Sequence, residues 1–184
     1  MNLLLHICCA PCSIQCIESL RQENINITGF WYNPNIHPRS EYYNRRDTLI
    51  EYASKINLPL IIEDEYGLNS FIENVFPELT TRCEYCYQTR LNATASATIK
   101  NKFDAFSTTL LISPYQKHEM IAEYAKSIAQ AHNATFLYRD FRPLFRDGQN
   151  KARQSNLYMQ KYCGCIFSED ERYARNGGQS NKTK

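Results

Sequence analysis

The strongest constraint in this sequence is its set of cysteines, which fall into groups far apart along the chain. Seven of the eight belong to three groups, which are Cys8-Cys9-x-x-Cys12, Cys83-x-x-Cys86 and Cys163-Gly164-Cys165. Cysteine makes up about 4% of the chain, below the roughly 8–10% of a disulfide-stapled secreted domain. The Cα atoms of adjacent Cys8 and Cys9 lie about 3.8 Å apart, which is shorter than the roughly 4.4 Å minimum of ordinary disulfides. The thiols therefore indicate metal or redox chemistry rather than disulfide bonds.

The spacing of these thiols suits a metal centre. Two thiolates separated by two residues, as in Cys83 and Cys86, can face one ion, and Gly164 lets the backbone bend tightly between two ligands. A [4Fe–4S] cluster and a structural zinc each take four thiolates. A zinc ribbon uses two similar CxxC pairs and this chain has one, so an iron–sulfur cluster is favoured. The surplus thiols could hold an additional mononuclear iron or zinc ion, whereas Cys16 is interpreted as a buried apolar residue.

Short β-like runs alternate with longer helical ones along the chain. Strands are predicted at residues 2–7, 25–32, 58–63, 103–111 and 134–139. Helices are predicted at about 13–23, 40–56, within 67–82, and at 83–100, 116–131 and 151–161, with a loop at 140–150. This alternation predicts an α/β fold, with a largely parallel sheet flanked by helices. We expect one α/β catalytic domain over residues 1–176, followed by a disordered polar tail at 177–184.

Four non-periodic segments each follow a predicted strand. They read CCAPC, YNPNIHP, SPYQKHE and RDFRPLFRDG. Ligands of open parallel α/β sheets bind beyond the carboxyl ends of the strands, so these segments are expected to meet at one rim. They make His37 a candidate substrate contact, Tyr115 a candidate for stacking on a base, and Asp140 a candidate acid or metal ligand.

Charge and missing motifs limit the classes of function. The net charge of +2 neither demands nor excludes a nucleic-acid partner. Several basic residues fall at the predicted rim or beside its aromatic residues, where they suit phosphate contacts: Arg45, Arg46, Arg82, Arg90, Arg139, Arg142, Arg146, Lys151 and Arg153. The sequence has no GxGxxG and no GxxxxGK[ST], which leaves a standard dinucleotide or P-loop site unsupported. Without a membrane-length apolar stretch or a signal peptide, a cytoplasmic location is expected.

Five motifs occur in the same order as in a known family. LLLHICCAPCS, YNPNIHPRSEYYNRR, CEYCYQTRL, TTLLISPYQKHE and LYMQKYCGCIFS resemble the QueH family of epoxyqueuosine reductases, over about Leu3 to Ser168. The resemblance implies a Rossmann-like fold similar to the adenine nucleotide α-hydrolases. It implies the last step of queuosine synthesis, in which epoxyqueuosine at the tRNA wobble position loses its epoxide oxygen. It also implies a [4Fe–4S] cluster beside a mononuclear metal, without cobalamin, held by Cys8, Cys9, Cys83, Cys86, Cys163 and Cys165.

The resemblance also implies how such a site would work. Some family members have Asp where this chain has Cys12, so Cys12 is expected to replace an oxygen ligand of the second metal by sulfur. Loss of the epoxide oxygen takes two electrons and two protons, and an open metal beside the cluster can act as a Lewis acid on that oxygen. Tyr115, His37 and Asp140 are unranked candidates for the proton donor. The implied partners are the tRNA anticodon stem–loop, whose wobble nucleotide can be splayed into a pocket, and an external electron donor.

The residues themselves leave two other functions open. One is a zinc-stabilised RNA-binding module without catalysis. The other is a thiol–disulfide oxidoreductase that uses Cys83 and Cys86 and needs no metal. Bound iron and colour would distinguish the reductase from both.

Overall fold

Four parallel strands form the central sheet in a computed structural model, which describes the backbone of residues 1–177 and the side chains of residues 1–174. The strands are β1 (Asn2–His6), β2 (Asn26–Trp31), β3 (Leu60–Ile62) and β4 (Ala105–Thr108). Their order in the sheet is β3-β2-β1-β4. In the register of the sheet, Leu4 of β1 lies between Thr28 of β2 and Phe106 of β4. The predicted α/β class with a parallel sheet is confirmed.

Seven α-helices occur within the described residues. They are α1 (Ala10–Gln22), α2 (Arg39–Lys55), α3 (Leu68–Val75), α4 (Arg82–Lys100), α5 (His118–Ala131), α6 (Phe145–Gln154) and α7 (Ile166–Gly177). Helix α4 packs against β1, β4 and α5, whereas α1 packs against β2, α2 and α6. Because both sides of the sheet are covered, β1 can consist of apolar residues throughout its middle, and Leu3, Leu4 and Leu5 are fully buried. None of the helices in residues 1–177 is long and apolar enough to cross a membrane.

Five of the helices end in the same kind of turn, which the sequence specifies locally. The residue that follows the C-cap has a positive φ of 50–58° in each turn, at Asn24, Asn57, Lys102, Asn133 and Asn156. Asparagine tolerates this left-handed conformation better than most residues. The next backbone N–H then bonds to a carbonyl in the last turn of the helix, as from Ile25 to Leu20 at 3.1 Å. These turns direct the chain from a helix back toward the sheet.

The strand predicted at residues 134–139 is wrong. This segment forms a single parallel bridge, in which Phe136 lies opposite Phe106 of β4. Beyond Thr108 the neighbouring chain turns into a 3₁₀ helix, and the Thr108 hydroxyl accepts a hydrogen bond from Leu110 N at 3.2 Å. At this edge of the sheet β4 is therefore too short to pair with residues 134–139 as a fifth strand.

The prediction for residues 140–161 is also wrong in its boundaries. A 3₁₀ helix covers Arg142–Leu144, and α6 covers Phe145–Gln154, where a loop was expected up to residue 150. Gly148 lies inside α6, which packs against α1, and it therefore does not mark a turn. Helix α7 was not predicted. The polar tail expected at 177–184 lies outside the described residues, apart from Gly177 at the end of α7.

Candidate metal centre

The strand order places a topological switch point at the carboxyl ends of β1 and β4. From β1 the chain proceeds through α1 to β2 on one side, whereas β4 lies on the other side of β1. Such a switch point is where open α/β sheets bind their ligands. The Cys8 backbone N–H donates to Thr109 Oγ1 at 3.2 Å, which joins the chain after β1 to the chain after β4. The first thiols of the chain therefore lie at the expected ligand site.

Cys8, Cys9 and Cys12 form a compact set of sulfurs, called here the three-thiol group. Their Sγ atoms all lie within 4.8 Å of one another, and those of Cys8 and Cys9 are 3.8 Å apart. Four sulfurs around one tetrahedral ion at 2.3 Å would be separated by about 3.8 Å. The spacing of the three-thiol group therefore matches ligands of a single ion.

The protonation of the three-thiol group follows from its hydrogen bonds. Contacts with the thiols of Cys12 and Cys9 hold the pKa of Cys8 well below its usual value. Burial raises the pKa of Cys9, and the contact with Cys8 raises the pKa of Cys12. The three thiols are thus strongly coupled through their hydrogen bonds, and a metal cation would displace the protons that they hold.

Cys83, Cys86, Cys163 and Cys165 make up a second set, called here the four-thiol group. Cys83 and Cys86 lie one turn apart at the start of α4, and Cys86 packs with Cys165 against Phe71. Burial and the nearby thiols of Cys163 and Cys165 raise the pKa of Cys83, and burial raises that of Cys86 to about 12. Among the described residues these four thiols lie near enough to influence one another's pKa, but unlike the three-thiol group they do not form a compact set of ligand atoms.

Arg45 holds the turn that carries Cys163 and Cys165. Its Nη1 and Nη2 atoms donate to the carbonyls of Cys163 at 2.8 Å and Tyr162 at 3.0 Å, and its Nε donates to Glu41 at 2.7 Å. Gly164 has a φ of +148°, and a Cβ there would lie 3.4 Å from Arg45 Nη1. The turn therefore depends on both a glycine and a buried guanidinium.

Arg90 supplies positive charge between the two groups of thiols. Its Nη2 donates to Cys86 Sγ at 2.8 Å, and its Nε donates to the Cys86 carbonyl at 3.0 Å. Burial opposes this charge, but Cys86, Cys163 and Cys8 raise the pKa of Arg90 above its usual value. A buried guanidinium with this many sulfur neighbours favours the thiolate forms that metals bind.

Seven of the nine basic residues predicted to contact phosphates are buried or paired with carboxylates in this structure, and Arg146 and Arg153 are not among them. Arg45 and Arg90 are both only 2% exposed, so they are wrong as phosphate contacts. Five more form ion pairs with carboxylates, namely Arg46, Arg82, Arg139, Arg142 and Lys151. Composition identified the basic residues, but their partners depend on which acidic side chains lie nearby in the fold.

Two of the candidate proton donors differ sharply in environment. Asp140 accepts hydrogen bonds from Arg142 Nε at 2.9 Å and Nη2 at 2.8 Å, and these lower its pKa to about 2. It is therefore ionised at neutral pH and has no proton to give. Tyr115 is 85% exposed, and its ring packs on Phe145 with centroids 5.8 Å apart. The next residue, Gln116, donates from Nε2 to Cys163 Sγ at 3.2 Å, which places Tyr115 beside the four-thiol group.

His37 is buried behind the turn at Gly164. Its backbone N–H donates to Gly164 O at 2.7 Å, and its ring packs on Phe71 with centroids 5.0 Å apart. Neither ring nitrogen has a hydrogen-bond partner among the described residues. Burial lowers the pKa of His37 to about 4, so the ring is neutral at pH 7.

The sequence did not single out Gln160 or Thr109, although both touch thiols. Gln160 Nε2 donates to Cys9 Sγ at 2.9 Å and to Cys12 Sγ at 3.4 Å, and Thr109 Oγ1 donates to Cys8 Sγ at 3.5 Å. The position of Gln160 in the motif LYMQKYCGC, three residues before Cys163, was the signal available in the sequence. Cys16 is buried and its Sγ donates to the Cys12 carbonyl at 3.4 Å.

Residues 3–171 match the family model described as epoxyqueuosine reductase QueH. The chain is 34% identical over 174 residues to the epoxyqueuosine reductase QueH of Dehalococcoides mccartyi, covering 95% of this chain and 96% of that protein. It is 33% identical over 194 residues to the protein of the same name from Thermotoga maritima, covering 98% and 97%. A crystal structure described as a predicted subunit of tRNA methyltransferase, from Methanocaldococcus jannaschii, is similar with a TM-score of 0.51, covering 97% of this chain and 88% of that one. At 13% identity, this similarity concerns the fold alone.

Proposed function

Because the chain belongs to the QueH family of epoxyqueuosine reductases, we propose that it reduces epoxyqueuosine at the wobble position of tRNA to queuosine. In this reaction both C–O bonds of the epoxide break and a C=C bond forms. The oxygen leaves as water, so each turnover consumes two electrons and two protons. The observation that carries the proposal is the compact group of Cys8, Cys9 and Cys12 at the switch point of the sheet, together with the packing of Cys86 beside Cys165 from a distant segment.

The two groups of thiols fit two different metal centres. Four thiols are the donor set of a [4Fe–4S] cluster, and we assign the cluster to the four-thiol group. The three-thiol group has the spacing of ligands to one ion, and we assign an additional mononuclear iron or zinc to it. When bound, the cluster would supply electrons one at a time and the ion would act as a Lewis acid on the epoxide oxygen.

The surrounding side chains support this assignment electrostatically. Arg90 donates directly to Cys86 Sγ, and a hydrogen bond to a ligating sulfur stabilises the more negative, reduced state of a cluster. Arg45 lies near Cys9 and Cys163 and offsets their negative charge as well. Phe71 and Val75 pack with Cys86 and Cys165 and keep water away from these two sulfurs, whereas Cys163 is exposed.

A thiol–disulfide oxidoreductase is disfavoured by the same environment. Such enzymes need a thiol whose pKa is lowered so that the thiolate can attack. Burial instead raises the pKa of both Cys83 and Cys86. A thiol with a raised pKa stays protonated in water and loses its proton only when a metal ion binds to the sulfur.

We propose the tRNA anticodon stem–loop as the partner and Tyr115 as the proton donor to the substrate. The exposed ring of Tyr115, beside the residue that contacts Cys163, is open to a splayed wobble nucleotide. Asp140 does not fit the role of proton donor, because Arg142 holds it as a carboxylate. His37 does not fit it either, because its ring is buried and neutral. If Tyr115 is the donor, Tyr115→Phe should lower the turnover rate and leave iron content and tRNA affinity unchanged.

The test of the proposed function combines metal analysis with turnover. Protein purified without oxygen is analysed for iron and acid-labile sulfide, and is then mixed with epoxyqueuosine-containing tRNA and dithionite. Cys163→Ser is expected to lose the cluster and the activity. The control is Cys16→Ala, which removes a buried thiol that donates only to a backbone carbonyl.

The outcomes separate the reductase from the other functions. About four irons and four sulfides per chain in the wild type, with one further iron or zinc, would support the reductase if Cys163→Ser loses the cluster and Cys16→Ala keeps it. Full activity of Cys163→Ser would refute the four-thiol cluster. Zinc without sulfide, persisting after anaerobic reconstitution, would favour a zinc-stabilised RNA-binding module.

A further inference from the structure

The side-chain amide of Gln160 lies directly against the three-thiol group. Its Nε2 is 2.9 Å from Cys9 Sγ and 3.4 Å from Cys12 Sγ. These contacts join sulfurs at the start of α1 to a residue about 150 positions later in the chain. Gln160 is therefore held at the three-thiol group by the tertiary fold, not by its neighbours in sequence.

The oxygen of the same amide has no partner. Gln160 Oε1 is buried and accepts no hydrogen bond from any described residue. Buried amide oxygens in folded proteins are almost always paired, and an orphaned one calls for an explanation such as an ion. The three-thiol group next to it can hold an ion but offers only three ligands.

We infer that Gln160 is the fourth ligand of the ion at Cys8, Cys9 and Cys12, bound through Oε1. A half-turn about the terminal torsion of the side chain exchanges Nε2 and Oε1 at low cost. It would place Oε1 at the present position of Nε2, 2.9 and 3.4 Å from two of the sulfurs. In a tetrahedral site with metal–sulfur and metal–oxygen distances of about 2.3 and 2.1 Å, an oxygen and a sulfur are about 3.6 Å apart. Small shifts of the amide therefore complete the coordination.

Thr109 and His6, two other polar residues near the site, are already engaged in hydrogen bonds. Thr109 Oγ1 lies 3.5 Å from Cys8 Sγ, but it accepts the Cys8 backbone N–H. The ring nitrogens of His6 contact Thr108 Oγ1 at 2.9 Å and the Tyr32 carbonyl at 3.3 Å. Gln160 combines contact with two of the three sulfurs and an uncommitted oxygen.

A neutral amide has a functional consequence that a fourth thiolate would not have. It adds no negative charge to an ion that already carries three thiolates, so the ion remains a stronger Lewis acid. An amide oxygen is also a weaker ligand than a thiolate and can give its place to a substrate oxygen. This consequence rests on the proposed function, whereas the ligand assignment itself concerns only metal binding.

Alternatively, Gln160 donates its N–H to Cys9 and Cys12 whether or not a metal ion is bound. One substitution distinguishes this donor role from the ligand role. Gln160→Glu keeps an oxygen ligand and adds charge, but it removes the N–H donor and places a carboxylate beside thiolates. A ligand role predicts that the variant binds metal as tightly as the wild type or more tightly. A donor role predicts weaker binding. Gln160→Leu removes both capacities.

The experiment uses Co²⁺ as the probe. Anaerobically reconstituted protein is treated with a chelator to empty the mononuclear site, and Co²⁺ affinity and visible absorption are then measured. The control is Gln116→Leu, because Gln116 also donates to a thiol, Cys163, while its oxygen is occupied by the Tyr87 hydroxyl at 2.7 Å. Circular dichroism checks that each variant is folded.

We expect Gln160→Glu to bind Co²⁺ at least as tightly as wild type. Gln160→Leu should bind at least tenfold more weakly, with an absorption spectrum that shows a changed coordination, and Gln116→Leu should match wild type. Tenfold weaker binding by Gln160→Glu, an unchanged Gln160→Leu, or no Co²⁺ binding at the three-thiol group would each overturn the assignment. Iron and sulfide measured on the same samples report on the four-thiol cluster separately, so a failure of the proposed function is distinguishable from a failure of this ligand.

Discussion

Replacement of Arg45 by methionine should reveal how strongly the buried guanidinium supports the site. The side chain donates to Glu41 and to the carbonyls of Tyr162 and Cys163, and it is only 2% exposed. Methionine preserves much of the apolar stem but removes every donor. Glu41 would then remain as a buried carboxylate that keeps only its hydrogen bond from the Tyr158 hydroxyl.

The expected loss can be worked from these contacts. Breaking a buried ion pair by removing one partner costs about 3–5 kcal/mol, and the remaining partner Tyr158 places the loss near 3 kcal/mol. For a chain of this length, each kcal/mol lowers the midpoint of thermal unfolding by about 2–4 °C. Arg45→Met should therefore unfold about 6–12 °C below the wild type. Because Arg45 holds the Cys163 carbonyl, iron content should fall as well.

Thermal unfolding followed by circular dichroism provides the measurement, on metal-loaded and on chelator-treated protein. The matched control is Arg46→Met on the same helix, whose ion pairs with Asp47 and Asp64 are partly exposed and are expected to contribute about 0–1 kcal/mol. The double variant Arg45→Met/Glu41→Leu should be more stable than Arg45→Met, because it removes the unpaired carboxylate. Equal shifts for Arg45→Met and Arg46→Met, or no recovery in the double variant, would refute the reasoning.

Three further predictions follow from single side chains. Gly164→Ala should destabilise the chain by about 1–3 kcal/mol and lower its iron content. The reason is that φ of Gly164 is +148° and the new Cβ would lie 3.3 Å from Ile36 Cγ1. A variant with the unfolding temperature and iron content of the wild type would contradict this. Burial lowers the pKa of His37 to about 4 from 6.5, so the unfolded chain binds a proton that the folded chain does not, and stability falls as pH decreases from about 6.5 to 4. His37→Phe should reduce that slope by at most about 1.4 kcal/mol per pH unit in denaturant titrations, and an unchanged slope would argue against a buried neutral His37. Asp140→Asn should lower the free energy of unfolding by no more than about 1 kcal/mol, because the Asp140–Arg142 pair is exposed. The turnover rate should be unchanged, and a large drop would show that Asp140 takes part in the reaction.

The class of the fold was readable from the sequence because it rests on local properties. The apolar run at β1 and the β-branched residues of β2 predict buried strands, and both strands are present. Helices α1, α2, α4 and α5 were predicted to within about three residues, because helical periodicity is a local property of the sequence. The grouping of the cysteines likewise pointed to metal chemistry before any contact was visible.

The tertiary structure alone decided which side chains surround the thiols. The pairs Arg45–Cys163 and Gln160–Cys9 join residues more than 100 positions apart, and sequence separation carries no information about such distances. The same limit explains why Arg45 and Arg90 were taken for surface phosphate contacts, because a charged residue is placed inside a protein only by partners that the fold supplies. The cysteine spacing thus determined that the chain can bind metal. The tertiary fold decided that Cys165 packs beside Cys86 and that Gln160 contacts Cys9, because such contacts exist only after the sheet and its helices have assembled.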